Sequence, residues 1–227
     1  MALDLLTNIN MKFTILILSL LFLSQKLLAV DFDYIYISQN TISDYSVKKI
    51  IDFTESWQPI EQKALILILD NSGGETNQAI PLAESILNLA NKVHARQNSP
   101  LFVYVEQTCL SACINTFFRL LKLSKQHPEK LFVKAHYSAV FGFHGARYGS
   151  FNFRILEMVY GLTVLSEEGS LDSVKQLIES GLNPDWLNKN YFMFKSINFT
   201  YKTAQELVLE NSGLKETDLF GTPNHMK

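Results

Sequence analysis

Beyond residue 30 the chain alternates between short apolar runs and longer stretches in which apolar residues recur at helical spacing. Residues 64–69 read ALILIL, a continuous apolar run typical of a buried parallel strand. Residues 32–37 (FDYIYI) and 101–105 (LFVYV) have the aromatic and branched residues of strands. Residues 132–144 contain apolar and aromatic runs that predict one or two further strands.

Helical spacing separates these predicted strands. It covers residues 41–53, 76–93 and 110–123. Strand and helix in alternation predict an α/β fold, with a parallel or mixed sheet and crossover helices. Toward the C-terminus the strands give way to three predicted helices, at residues 155–165, 171–180 and 184–194. The simplest interpretation is one domain, residues 30–227, with a helical C-terminal portion.

The first 29 residues differ from the rest. Residues 13–23 (FTILILSLLFL) form an uncharged run that is too short for a bilayer core, which needs roughly 20 residues. With Lys12 before the run and Ala29 after it, residues 1–29 have the layout of a secretory signal peptide, with translation beginning at Met1 or at Met11. We expect a periplasmic or secreted protein. Lys26 and Leu27 weaken the cleavage site, so an uncleaved membrane anchor is the alternative.

The composition indicates a globular protein and argues against one class of partner. The chain has 227 residues, 47% hydrophobic and 19% charged, as globular proteins do. A formal net charge of -2 and the lack of any basic run argue against nucleic acid as a partner.

Three short segments have candidate chemistry. The first is the turn Asp70-Asn71-Ser72-Gly73-Gly74, between a predicted strand and a predicted helix. Backbone N–H groups exposed there suit an anion or an oxyanion. The bland alternative is that the glycines serve only to make a tight turn.

The second segment, residues 107–113 (QTCLSAC), also lies between a strand and a helix. Ser111 is placed like the serine of a nucleophile elbow, although the G-x-S-x-G pattern is absent. The alternative is that Ser111 merely caps the helix. In the third segment, His144 lies between Phe143 and Gly145 at a predicted strand end, where a histidine suits acid–base chemistry. The alternative there is a satisfied core histidine.

The order of these segments resembles the Clp-protease family and its crotonase relatives. LILDNSGGETNQAIPLAESI resembles the family's glycine-turn segment, VEQTCLSACINTFF its nucleophile segment, and FGFHGARYG its histidine strand. Residues 201–207 (YKTAQEL) more loosely resemble the start of the family's late helix. The resemblance implies a Clp-protease/crotonase-like fold of repeated β-β-α units. It also implies Ser111 as nucleophile, His144 as general base, and the N–H groups of Gly73 and Ala112 as the oxyanion hole.

Two positions depart from the family pattern. The proline before the glycine pair is replaced by Ser72. The third triad member, an aspartate in the family, has no counterpart in residues 194–203 (FKSINFTYKT). Asn198 lies near the expected place and Asp185 lies upstream, so both are candidates, and an amide can orient an imidazole. A serine–histidine dyad or an inactive enzyme is equally open.

Cys109 and Cys113 flank the serine. They are interpreted as two small buried residues, as a disulfide in an oxidising compartment, or, with His136 and His144, as an unusual zinc site. The spacing matches no familiar zinc pattern, and we expect no metal.

Three functions follow. The first is an exported serine peptidase, without cofactor, acting on peptides or unfolded proteins. The second is a catalytically inactive member of the fold that binds a peptide or protein partner. The third, an acyl-CoA enzyme, fits export poorly. The sequence leaves the oligomeric state open, although related enzymes form rings.

Overall fold

The computed structural model describes residues 31–36, 41–59, 63–145, 167–196 and 198–221. The predicted signal peptide and the helix predicted at residues 155–165 lie outside these ranges. Within them, no helix has the length and apolar character needed to cross a membrane.

Strands and helices alternate through the first half of the chain, as the apolar pattern predicts. The strands are β1 (Asp31–Tyr36), β2 (Lys63–Ile68), β3 (Leu101–Val105), β4 (Thr108–Leu110), β5 (Leu131–His136), β6 (Val140–Phe143), β7 (Thr200–Thr203) and β8 (Leu219–Phe220). The α-helices are α1 (Asp44–Ser56), α2 (Thr76–Gln97), α3 (Ala112–Gln126), α4 (Glu167–Glu179), α5 (Pro184–Asn190) and α6 (Ala204–Leu209). Two short 3₁₀ helices, Tyr191–Lys195 and Glu216–Asp218, complete the described elements.

The main sheet has five parallel strands in the order β1-β2-β3-β5-β8. Alternate residues of β2 and the residue after it, Leu65, Leu67 and Leu69, join the main hydrophobic core with side chains of α1, α2 and α3. Parallel strands joined by helices bury the sheet against those helices, which explains why β2 is apolar at almost every position. The predicted α/β class with a parallel sheet is confirmed.

A second, smaller sheet carries the candidate chemistry. Its order is β4-β6-β7, with β4 parallel and β7 antiparallel to β6. A backbone bridge between Asn71 and Cys109 brings the glycine turn against the outer edge of β4. The end of β2 is thereby linked to the small sheet, so that the three candidate segments converge.

Three expected boundaries differ in the structure. The helix predicted from residue 110 begins at Ala112, because residues 108–110 pair as β4 instead. The helix predicted at residues 184–194 is α-helical only to Asn190 and continues as a 3₁₀ helix. The run 201–207, expected to open a helix, begins as strand β7, and α6 starts at Ala204.

The C-terminal portion is tied to α3, the helix that follows Ser111. Asn115 donates from Nδ2 to the Ser173 carbonyl at 3.0 Å, and Ser173 Oγ donates back to Asn115 Oδ1 at 3.2 Å. Asn115 is 1% exposed, so these bonds satisfy an amide buried one turn beyond Ser111. Helix α4 is thus fixed against the site's supporting helix.

Strand β7 is fixed at its far end by two carboxylates. Thr203 and Glu206 form a capping box at the start of α6, and the hydrogen bonds from the Thr203 backbone and hydroxyl lower the pKa of Glu206. Burial alone would raise the pKa of Glu210, but hydrogen bonds from Lys202 and Trp186 and the charge of Lys202 outweigh it and lower that pKa. These contacts fix the C-terminal end of β7 to α6 and, through Trp186, to α5.

Candidate active site

The candidate site lies at one end of the small sheet, where strand register brings its parts together. Leu110 of β4 pairs with Gly142 of β6 in parallel, and the Ser111 N–H donates to the Gly142 carbonyl at 2.9 Å. Ser111 is therefore level with Phe143, and His144 comes one residue further along the neighbouring chain. Parallel strands lie roughly 4.8 Å apart, so the serine and histidine backbones are close neighbours.

Ser111 has the most unusual backbone of the described non-glycine residues. Its φ is 52° and its ψ is −124°, whereas the other two described non-glycine residues with positive φ are asparagines. Asparagine tolerates positive φ, but serine is strained there by about 1–3 kcal/mol. Such strained strand-to-helix turns present nucleophilic serines in other folds.

Ser111 is at the N-cap position of α3, yet its hydroxyl makes no capping hydrogen bond. A serine retained for helix capping would accept a hydrogen bond from the backbone two or three residues on. The capping interpretation is therefore wrong for this residue. The strained backbone directs the hydroxyl elsewhere, toward the glycine turn.

The glycine turn approaches Ser111 more closely than a side chain would allow. A Cβ placed on Gly73 would lie 2.6 Å from Ser111 Cβ and 3.3 Å from Ser111 Oγ. Gly73 also has a φ of 102°, so its lack of a side chain is needed for both backbone conformation and space. The predicted proximity of this turn to the serine is present in the structure.

The Gly73 N–H has a partner inside the turn. It donates to Asn71 Oδ1 at 2.8 Å, and Asn71 is 1% exposed. Asn71 is itself held by β4, because its N–H donates to the Thr108 carbonyl at 2.9 Å and its carbonyl accepts from Leu110 at 3.0 Å. Sequence reasoning missed Asn71, whose signal was an amide two residues before a turn glycine.

Ala112, the other predicted oxyanion donor, is the first residue of α3 and is 1% exposed. The first N–H groups of an α-helix have no intrahelical acceptor, and the helix dipole makes this end positive. Ala112 is thus placed to donate to an anion beside Ser111.

His144 follows β6 and is half-buried. Its Nδ1 lies 2.5 Å from the Gly145 carbonyl oxygen, and its ring packs against Phe199 with centroids 4.3 Å apart. A carbonyl only accepts, so Nδ1 carries the proton, and Nε2 is the basic nitrogen of the neutral ring. This is the tautomer that a general base needs.

Neither predicted third member makes a described contact with His144. Asn198 is exposed, and its N–H donates to Ser196 Oγ at 3.0 Å. Asp185 is exposed in the first turn of α5, with its N–H donating to Asn183 Oδ1 at 2.9 Å. The Gly145 carbonyl lies beside Nδ1, and a backbone carbonyl leaves no signal in a sequence.

Cys109 and Cys113 form a disulfide, with Cα atoms 5.2 Å apart and both residues fully buried. Two bonded sulfurs are not thiolate ligands, so the zinc alternative is abandoned. His136, proposed as a zinc ligand together with His144, hydrogen-bonds to Ser138 through Nδ1. In the part of the chain that the structure describes, no cluster of histidine, cysteine and acidic residues has the makings of a metal site.

An apolar surface adjoins the serine. A Cβ on Gly142 would meet side-chain atoms of Leu110, Phe199 and Tyr201 at 2.7, 2.9 and 3.2 Å. The Phe199 and Tyr201 rings stack with centroids 5.6 Å apart, and Tyr201 is 57% exposed. This patch is a platform beside the strand end that carries His144, and sequence reasoning did not anticipate it.

Comparison with known proteins does not assign the chain to a family. No protein-family model matches the chain, and no curated protein matches it significantly.

Proposed function

We propose that this chain is a serine peptidase with a Clp-protease/crotonase-like fold, in which Ser111 is the nucleophile and His144 the general base. The observation that supports this most directly is the strained Ser111 backbone at a strand-to-helix turn, without a capping hydrogen bond. The order of strand, strand and helix in β3, β4 and α3 is consistent with the β-β-α units of that fold.

In the proposed reaction, Ser111 Oγ attacks the carbonyl carbon of a peptide bond, and His144 Nε2 takes the hydroxyl proton. The tetrahedral intermediate collapses as the protonated histidine gives its proton to the leaving amine. Water, deprotonated by the same nitrogen, then releases the acyl group from Ser111. The hydrogen bond to Gly145 holds the required tautomer throughout.

The oxyanion hole would consist of the N–H groups of Ala112 and Gly73. Ala112 begins a helix, and its N–H suits a developing negative charge. The Gly73 N–H donates to Asn71 in the substrate-free protein, so it must share or exchange this acceptor when the oxyanion forms. An oxyanion is the stronger acceptor, because hydrogen bonds to charged groups are roughly twice as strong as neutral ones.

The substrate we propose is a peptide or an unfolded protein. The platform of Leu110, Phe199 and Tyr201 offers an exposed aromatic surface for a substrate side chain next to the nucleophile turn. No cofactor is needed for this chemistry.

Covalent labelling tests the nucleophile. A fluorophosphonate should modify Ser111, identified by mass spectrometry of the labelled peptide. Ser111→Ala should abolish labelling, and His144→Ala should slow it roughly 10²- to 10⁴-fold. Ser72→Ala, an exposed serine in the adjoining turn, is the matched control and should label normally. If folded wild-type protein stays unlabelled, the peptidase proposal is wrong.

The activity of variants on a peptide substrate tests which group orients the His144 imidazole. Because residues 194–203 offer no carboxylate to stabilise the imidazolium, we expect slow turnover. Asp185→Asn and Asp172→Asn should each leave most activity intact, since both side chains are exposed. Asn198→Ala should lower activity only if the amide contacts the imidazole in the substrate complex. A loss of several orders of magnitude in Asp185→Asn would reveal a complete triad.

The alternative is a catalytically inactive protein of this fold that binds a peptide or protein partner. Two observations favour it: the Gly73 N–H donates to Asn71, and residues 194–203 contain no acidic counterpart of the family's third triad member. An inactive binder would retain peptide affinity in Ser111→Ala while wild-type protein resists the fluorophosphonate.

We also propose export to the periplasm or outside the cell. The apolar run at residues 13–23 and the Cys109–Cys113 disulfide support an oxidising compartment. Mass spectrometry of protein from its native source should find a mature N-terminus near Ala29. A chain still beginning at Met1 or Met11 would favour the membrane-anchored alternative.

A further inference from the structure

The Cys109–Cys113 disulfide spans the nucleophile turn. Cys109 is the middle residue of β4, Cys113 is the second residue of α3, and Ser111 lies midway between them. The bond therefore joins the strand before the serine to the helix after it. Every backbone torsion that sets the direction of the Ser111 hydroxyl lies inside this closed loop.

Both ends of the crosslink are attached to rigid parts of the protein. Cys109 pairs with Asn71 on one side and with Phe141 of β6 on the other. Cys113 is fully buried, with Sγ 3.9 Å from the Leu69 carbonyl oxygen at the end of β2. The helix start cannot move away from the strand without breaking the disulfide or disturbing the core.

Ser111 would otherwise have reason to relax. Its φ of 52° and ψ of −124° are unfavourable for a residue with a Cβ, and the hydroxyl gains no capping bond in return. A change to negative φ would relieve the strain and turn the side chain away from Gly73. Strained residues persist only where the surroundings over-determine them, and a covalent loop of five residues does so here.

We propose that the Cys109–Cys113 disulfide is a positioning element that holds Ser111 in its reactive conformation, so that the reactivity of the serine depends on oxidation of this pair. The inference rests on the proposed function, because it concerns the same nucleophile. Reduction by a dithiol would transfer two electrons and two protons to the bridge, giving two cysteine thiols and one oxidised dithiol.

The burial of Cys109 and Cys113 determines when the reactivity of Ser111 can respond to their oxidation state. Both cysteines are fully buried, so a thiolate reaches the folded bridge only after local opening. The disulfide is therefore a durable feature of the oxidised protein. In a chain that has not yet formed it, as in a reducing compartment before export, Ser111 reacts about ten- to hundredfold more slowly.

The test compares the rate of fluorophosphonate labelling at Ser111 in oxidised wild-type protein and in the double variant Cys109→Ala/Cys113→Ala. We expect the maximal labelling rate to fall about ten- to hundredfold, the range that the strain at Ser111 corresponds to. The half-saturating concentration of the fluorophosphonate should change little, since Phe199 and Tyr201 of the platform lie outside the disulfide loop. Equal maximal rates in the two proteins would overturn the proposal.

The experiment must separate a general loss of protein stability from displacement of Ser111. Val93→Ala removes buried side-chain volume from α2, away from the turn, and should label at the wild-type rate. Labelling is measured at a temperature where circular dichroism shows all three proteins folded. Wild-type protein refolded with its thiols reduced should label as slowly as the double variant and recover on reoxidation. Failure to recover, or slowing in Val93→Ala as well, would overturn the proposal.

The peptidase proposal and the proposed role of the disulfide can fail separately. If oxidised wild-type protein is not labelled, the peptidase proposal fails. The role of the disulfide is then tested by the backbone conformation of Ser111 alone. A crystal structure of the double variant should then show Ser111 with negative φ. A positive φ near that of the oxidised protein would show that the disulfide does not hold the turn.

Discussion

Two strand-to-helix turns meet at the candidate site, and they reach positive φ with different residues. The turn after β2 does so at Gly73 and Gly74, with φ of 102° and 143°. The turn after β4 does so at Ser111, with φ of 52°. Glycine adopts such angles with little steric cost, whereas a residue with a Cβ is strained there.

Packing explains the first turn completely. Gly73 leaves room for Ser111, and Gly74 leaves room for the backbone of Ile42, which forms a bridge with it. The strain at Ser111 has no such explanation, because glycine would adopt the same backbone more easily. A residue kept against its local preference points to a function for its hydroxyl, and this contrast is the structural basis of the proposed nucleophile.

The largest expected effect is at Gly74. An added Cβ would lie 2.2 Å from the Ile42 carbonyl oxygen and 2.5 Å from its nitrogen, and both are backbone atoms that cannot turn aside. Gly74→Ala should therefore lower the free energy of unfolding by more than about 4 kcal/mol, or prevent folding. Chemical denaturation measures the loss.

Gly181→Ala is the matched control for that variant. Gly181 has a φ of 100°, but a Cβ there would meet nothing within 4 Å. Gly181→Ala should lower the free energy of unfolding by only about 1–2 kcal/mol, the cost of a positive φ for a residue with a Cβ. If Gly74→Ala and Gly181→Ala were equally stable, close packing at Gly74 would be ruled out as the reason why the turn after β2 requires glycine.

A smaller effect is expected at Asn71. Asn71→Ala leaves the buried Gly73 N–H without the acceptor seen here at 2.8 Å, which should lower the free energy of unfolding by about 1–3 kcal/mol. Ser72→Ala, at the exposed neighbouring position, should change it by less than about 0.5 kcal/mol. Denaturant titration of both variants checks this, and an unchanged Asn71→Ala would mean that water replaces the amide.

The larger elements could be predicted from sequence because burial determines them. β3 has the predicted bounds, residues 101–105, and β2 is shifted by one residue from the predicted run. Buried parallel strands must be apolar at nearly every position, and this leaves a strong signal. The meeting of the glycine turn with Ser111 is implied by the resemblance of the three segments to the Clp-protease family, not by burial.

The small sheet could not be predicted in the same way. β4 has three residues and pairs mainly through its backbone, so its sequence TCL has no periodic signal. Residues 201–207 resemble the start of a helix, but Thr200–Thr203 form β7 because they pair with β6, which is distant in the chain. The Gly145 carbonyl and the stacking of Phe199 on His144 depend on that pairing, and so the immediate surroundings of the imidazole were missed.

The smallest expected effect separates strain from chemistry at residue 111 itself. Ser111→Ala and Ser111→Gly both remove the hydroxyl, so they differ only in the Cβ methyl group and in its effect on the backbone conformation. In the oxidised protein Ser111→Gly should be the more stable by about 1 kcal/mol, because relief of strain exceeds the entropy that glycine gains on unfolding. In the Cys109→Ala/Cys113→Ala background the turn can relax, and the order should reverse, with alanine more stable by about 0.5–1 kcal/mol. Denaturant titration of the four proteins gives both differences. If glycine is already the less stable in the oxidised protein, Ser111 is not strained, and the contrast between the two turns disappears.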